Sequence, residues 1–206
     1  MAAGDHAATG ATTLPVGIRL SSLANAKVMP WANGRGVTRE LLRRETPDGW
    51  LFCRLSVADV VEPGAFSPLP GIDRHLTLIE GAGFTLSING RTVPVAFGEP
   101  VAFSGDDDVA ATHVDGPSRD FNVMADGAVA RASVRRHDGN FEDVSPAALR
   151  CYFVVQGAFA ASLLPGRTLV AGDLVELGRD AACPLAFAGS GVLFAVHVNP
   201  VEEQAP

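Results

Sequence analysis

The sequence predicts an all-β chain built as two tandem jelly-roll barrels. Three observations carry that prediction. Short apolar runs with period-two alternation recur along the 206 residues. Turn formers, 22 glycines and 14 prolines, interrupt those runs at close intervals and leave little room for long helices. A β-unit in the first half is also repeated in the second.

The strands follow in order. Val37–Arg44 fits a strand better than a short helix. Leu51–Val60 alternates, with Leu51, Cys53, Leu55 and Val57 on one face and Phe52, Arg54, Ser56 and Ala58 on the other. Asp73–Glu80 is β-rich and ends at Gly81. Phe84–Ile88 stops at Asn89-Gly90, a two-residue hairpin signal. Val93–Phe97, Pro100–Phe103 and Phe121–Met124 continue the series. The second half offers Cys151–Val155, Phe159–Leu163, Leu174–Leu177 and Val192–Val198. One helical turn is predicted at Ser145–Leu149, where Ser145 suits the N-cap and Pro146 the first helical position.

The repeat sets the domain organisation. LTLIEG ends at Gly81 and YFVVQG at Gly157, an offset of 76. Gly98-Glu99-Pro100-Val101 matches Gly172-Asp173-Leu174-Val175 at 74, and Phe121-Asn122-Val123 matches Phe194-Ala195-Val196 at 73. A strand ending in a tight Gly turn, then a Gly-acid turn into another strand, is the pattern of a cupin-like barrel (a double-stranded β-helix). Two copies make a bicupin. Residues 1–17 read as an N-terminal tail, 18–130 as the first barrel, 131–200 as the second and 201–206 as a C-terminal tail.

Composition excludes several functions. A net charge of −7 and a pI near 5.1, with no basic patch interleaved with aromatics, argue against nucleic acid. Arg131–Arg136, the one dense basic run, reads as a solvated strand or loop face. No apolar run approaches the ~20 residues a membrane helix needs. The first residues lack the basic and apolar regions of a signal peptide, so a cytoplasmic location is expected. Cys53, Cys151 and Cys183 are few, distant and set among apolar neighbours, which suits reduced thiols.

The copies differ in polarity. Glu80, Asp120 and Asn122 face Gln156, Leu193 and Ala195 in the alignment, while Arg74 keeps its counterpart Arg150. A packing barrel can lose interior polar groups, whereas a ligand cup must keep them. The pocket is therefore expected in the first barrel. Arg54 and Arg74 lie within strands, where an inward arginine needs a carboxylate, a carbonyl or an anionic ligand. Asp59, Asp73, Glu80 and Asp120 are candidate partners, and Asp73 is a candidate to orient Arg54 or Arg74. Ser56 shares the face of Arg54. No metal is expected: His75 stands alone with Glu80, and His113 and His197 are distant, a poor set for a first-row ion. No cofactor loop or nucleophile elbow appears, so no cofactor is expected.

Four ordered segments carry a family resemblance. Met29-Pro30-Trp31-Ala32-Asn33-Gly34-Arg35-Gly36-Val37-Thr38-Arg39-Glu40 resembles the W-x-N-G-x-G-x-T-R-E signature of the HutD/Ves family. Arg54–Val60 resembles its R-L-S-x-A-x-V strand, Phe66–Arg74 its F-S-x-x-P-G-x-D-R turn, and Gly116–Met124 its G-P-x-x-D-F-N-x-M segment. The resemblance spans about residues 18 to 198. It implies a bicupin without the usual metal ligands, a link to bacterial histidine utilisation, and a bound small acid such as formylglutamate or urocanate. No catalytic residue transfers with it. Trp31 caps the cup or packs, Asn33 belongs to a turn, and Thr38 and Glu40 share one strand face. Phe66 and Pro70 shape a turn over the pocket.

Three functions remain open from sequence. The first is a non-catalytic binder of a small anionic metabolite with a regulatory role. The second is a cupin enzyme of isomerase or lyase type, with Glu80 or Asp120 as general base. The third is a structural or partner-binding protein. Exposed sheet edges make a homodimer an expectation.

Overall fold

The computed structural model describes residues 14, 16–31, 36–181 and 183–202. The strands are β1 (Ile18–Ser22), β2 (Lys27–Pro30), β3 (Val37–Glu45), β4 (Leu51–Val60), β5 (Gly64–Ala65) and β6 (Ile72–Gly81). They continue with β7 (Phe84–Ile88), β8 (Arg91–Val95), β9 (Val101–Ser104), β10 (Val109–Val114), β11 (Ser118–Asp126) and β12 (Ala130–Asp138). The last five are β13 (Phe141–Asp143), β14 (Leu149–Ala161), β15 (Thr168–Val170), β16 (Asp173–Gly178) and β17 (Leu185–Pro200). Among the described residues the one helical segment is a 3₁₀ turn at Leu23–Asn25. Among these residues no helix is long and apolar enough to cross a membrane.

The first unit pairs a six-stranded sheet, β2-β3-β4-β11-β6-β9, with a four-stranded one, β5-β10-β7-β8. The second is a seven-stranded sheet, β1-β16-β14-β17-β12, with β13 added to β17 and β15 to β14. Among the described residues all the strand pairings are antiparallel, apart from one isolated parallel bridge between Leu78 and Phe97.

The repeat is visible in the register itself. Arg74 on β6 faces Met124 on β11 and Phe103 on β9, while Arg150 on β14 faces His197 on β17 and Leu177 on β16. A bulge skips Ile79 in one copy and Val155 in the other. Gly98 N–H donates to Leu78 O over 2.9 Å, and Gly172 N–H to Val154 O over 2.8 Å. Gly81 and Gly157, at φ +99° and +81°, sit so close to the crossing strand that a Cβ would meet Pro117 O at 2.3 Å and Ser190 O at 1.9 Å. Only glycine fits either corner.

Period-two alternation divides the side chains between three cores. Cys53, Leu55, Val57, Phe121 and Val123 leave the back of the six-stranded sheet and pack on Cys151, Phe153, Phe194 and Val196 of the second unit. Phe121 stacks on Phe153 with centroids 4.7 Å apart. The units are thus joined back to back through a continuous apolar layer. Leu76, Leu78, Phe84, Leu86 and Phe103 fill part of the first barrel. Tyr152, Val154, Phe159, Phe187 and Leu193 fill the second.

Some expectations need correction. Residues 18–22 do not belong to the first barrel: β1 pairs with β16, Arg19 opposite Glu176, and covers that sheet's edge. Ser145–Leu149 forms no helical turn; Asp143 Oδ1 accepts from Ser145 N–H, and Ser145 Oγ from Ala147 N–H, which satisfies the donors in an extended loop. The two strands expected at Cys151–Val155 and Phe159–Leu163 are one, β14, because Gly157 bends the strand without ending it. The Asn89-Gly90 hairpin, the strand at Val37 and the exposed arginines of β12 match expectation.

Candidate functional site

One large cleft opens on the inner face of the six-stranded sheet, with a volume of about 800 Å³. Alternation on β4 turns Arg54, Ser56, Ala58 and Val60 toward it, and β11 contributes Asp120, Asn122 and Met124. Arg74 comes from β6, and Trp31 and Thr38 stand at its edge. The segment after β4, with Val61, Glu62 and Phe66, forms another wall.

The two arginines are held differently. Arg54 Nε donates to Glu40 Oε2 over 2.7 Å, and its Nη1 lies 3.9 Å from Met124 Sδ. Arg74 is 8% exposed, and among the described residues no carboxylate forms such a bond with it. Its guanidinium carbon lies 4.9 Å from the centre of Phe103 and 5.3 Å from that of Phe66. Cation–π attraction to both rings steadies it, but Nε is buried without a hydrogen-bond partner. Burial pushes Arg74 down to about 10, against the pull of the Asp120 charge, with Arg54 adding to the fall. It remains a cation at neutral pH.

Asp120 is 1% exposed. Burial pushes its carboxyl up to about 7, although Arg74 and a hydrogen bond donated by Asn122 Nδ2 pull the other way. Asn122 Oδ1 is buried with no donor. The cleft floor therefore holds a cation, a titratable carboxyl and an orphan amide oxygen, and orphaned buried polar atoms are costly unless something completes them.

The remaining expected residues separate into edge and exterior. Trp31 Nε1–H donates to Thr38 Oγ1 over 2.9 Å, and Gly36 allows the indole to lie against the backbone, since a Cβ there would be 3.0 Å from the ring. Glu40 does not line the cleft; it holds Arg54 in place. Asn33 lies outside the described residues.

Glu80 is a correction: its side chain is 65% exposed and bonds Arg119 on the outer rim, over a shallow groove shared with Asp59 and Ser118. The bulge at Ile79 breaks the alternation that would have turned Glu80 inward. Asp73 is another, pairing with Arg131 on the opposite face from Arg74. Asp59 pairs with Arg39 and Arg119 and holds neither cleft arginine. His75 is turned away as well, donating Nε2–H to Ala132 O. Among the described residues no group of three or more His, Cys, Asp or Glu is placed to hold a metal ion.

Phe103 and Met124 escaped the sequence reading. They are apolar in sequence and acquire a role only from the register that sets both opposite Arg74. The second barrel is also less apolar than expected. Leu193 and Ala195 do replace Asp120 and Asn122, but Asp143 Oδ2 accepts from Tyr152 Oη–H at 2.8 Å and from His197 Nε2–H at 2.6 Å. Asp143 has no aligned partner in the repeat, which hid it.

Comparison with known proteins places these features in a lineage. The HutD family model matches residues 23–195. An uncharacterised 21.2 kDa protein in the hutC 3' region of Pseudomonas putida is 34% identical over 138 residues, 66% of this chain and 72% of its own length. Protein Ves of Citrobacter koseri is 34% identical over 131 residues, 63% of this chain and 68% of its own. The structure of HutD from Pseudomonas fluorescens SBW25 (formate condition) superposes with a TM-score of 0.81 at 28% identity, covering 90% of this chain and all of that one. A cupin 2 barrel protein from Leptotrichia buccalis, 11% identical with a TM-score of 0.54 over 84% of this chain and 97% of its own, shares the barrel fold alone. The chain belongs to the HutD/Ves family of bicupin proteins.

Proposed function

We propose that the first barrel binds a small carboxylic acid without chemical turnover, and that this binding moderates histidine utilisation. The observation that supports it most is Arg74: a cation buried between Phe66 and Phe103, at the wall of an open cleft, with its Nε unpartnered. A guanidinium fork of this kind recognises a carboxylate through paired N–H donors. Ser56 and Arg54 stand on the same wall to take further oxygens. The relative named for the hutC region and the HutD neighbour in its formate condition favour the pathway and the ligand class.

Isothermal titration with formate, formylglutamate and urocanate tests the reading. Heat is expected with at least one of them in wild type and none in Arg74→Gln. No binding of any of the three up to millimolar concentration would overturn it.

A second reading is favoured by Asp120, a buried carboxyl near neutral pH in the same cleft. Such a group can move a proton on a bound acid. Glu80 drops out of this reading because it lies outside the cleft. Turnover of a small acid, lost in Asp120→Asn while binding persists, would establish it.

A further inference from the structure

The floor of the cleft holds two adjacent side chains that share one hydrogen bond and have more capacity than it uses. Asn122 Nδ2 donates to Asp120 Oδ1, and Asn122 Oδ1 is left buried without a donor. Both residues are on β11, two apart, and face the same cavity. Arg74, on the neighbouring β6, adds a buried Nε that donates to nothing. An ionised Asp120 can only accept, so it fixes the amide with its oxygen turned away and orphaned. A protonated Asp120 can donate. The amide then turns over, its oxygen accepts the Asp120 O–H, and its NH₂ takes the place of the orphan oxygen. That arrangement leaves no orphan acceptor on Asn122 and exchanges it for a donor, while removing the negative charge of Asp120.

Charge points the same way. The charged groups around Asp120 are Arg74 on β6, Arg54 and Asp59 on β4, and Glu62 in the wall that follows, with Glu40 on β3 already bonded to Arg54. Asp59 is itself paired with Arg39 and Arg119, and Glu40 with Arg54, so Arg74 is the cation that Asp120 and an incoming carboxylate would share. A ligand carboxylate placed on Arg74 competes for the same cation with Asp120, itself 1% exposed, and like charges beside a buried carboxylate are poorly tolerated.

We propose that the cleft takes up a carboxylate together with one proton, which lands on Asp120 and turns the Asn122 amide from acceptor to donor. This rests on the reading of the cleft as a carboxylate site. It adds a regulation: the protein senses its ligand and the ambient pH through one group. The step is a plain protonation, with the proton drawn from solvent and no bond made or broken in the ligand.

Burial that brings the Asp120 carboxyl to about 7 puts the effect in an accessible range. For a ligand ionised throughout, such as formate, the apparent Kd should weaken about 100-fold between pH 6 and pH 9 in wild type. In Asp120→Asn it should stay flat, because that side chain keeps the donor at every pH. Proton uptake measured directly on wild type, by pH change in weakly buffered solution at pH 8, should approach one per formate bound. This readout needs no variant to fold. Formate binding with a pH-independent Kd and no proton uptake would overturn the proposal while leaving the carboxylate site intact. Absence of binding by formate, formylglutamate and urocanate at every pH from 6 to 9 would overturn both.

Discussion

Replacing Arg74 by Met should stabilise the unliganded protein while abolishing its response to carboxylates. The argument starts from the cost of holding the cation. Burial lowers its pKa from 12.5 to about 10, and each unit corresponds to about 1.4 kcal/mol, so the charged form costs the fold about 3 kcal/mol. The folded pKa lies below the unfolded one. The cost is therefore fully present at every pH below about 10 and fades only as pH rises beyond that. Against it stand two cation–π contacts, together about 1–2 kcal/mol at a partly desolvated site. Met keeps much of the apolar volume between Phe66 and Phe103 and gains from sulfur–aromatic contact. The net expectation is a gain of about 1–2 kcal/mol, or a rise in Tm of about 2–8 °C for a chain of this size. The assay is thermal unfolding at pH 6, where Asp120 is largely protonated and does not suffer from losing its cation. Wild type should gain stability on adding formate and Arg74→Met should not. A fall in Tm of several degrees in the variant, with the formate response intact, would refute the reasoning. Arg74 would then be a structural residue.

Two further outcomes follow from the geometry. Gly157→Ala puts a Cβ 1.9 Å from Ser190 O at φ +81° and should cost more than 3 kcal/mol in urea unfolding, whereas Gly90→Ala, at a similar φ of +79° in open space, should cost only about 1 kcal/mol. Burial alone would raise the Asp143 carboxyl, but bonds from Ser145 N–H, Tyr152 and His197 overcome this and hold it below its usual range. A depressed carboxyl gives stability that is present above the unfolded pKa and lost as pH falls through the folded one. Asp143→Asn should therefore be less stable than wild type at pH 7, and the gap should narrow below pH 4, as followed by circular dichroism.

How much of this was legible in the sequence depended on how local the cause was. The two-barrel plan could be read because the repeat carries its own constraints: Gly81 and Gly157 occupy corners that admit no Cβ, and such a requirement leaves a mark in the chain. Alternation along β4 placed Arg54 and Ser56 on one face for the same reason. Glu80 was misplaced because a single bulged residue reverses the phase, and a bulge at Ile79 has no signature of its own. The pairing of β1 with β16 is decided by an open edge more than 150 residues away, which no local pattern reveals. Phe103 and Asp143 were hidden in the same way, since their partners are set by register between distant strands.

The contrast between the buried carboxylates of the two barrels finally turns on saturation more than on polarity. Both barrels keep a buried carboxylate, so polar content alone does not separate them. In the second, the two oxygens of Asp143 receive three donors from Ser145, Tyr152 and His197. That carboxylate is a fastener, tying the loop after β13 to β14 and β17. In the first, Asp120 receives one donor, and that donor's own oxygen faces nothing. A packing barrel can either lack such groups, as at Leu193 and Ala195, or complete them from within, as around Asp143. The first barrel does neither for Asp120 and Asn122, beside an open cleft of about 800 Å³, and this is what supports the proposal that a molecule from outside completes them.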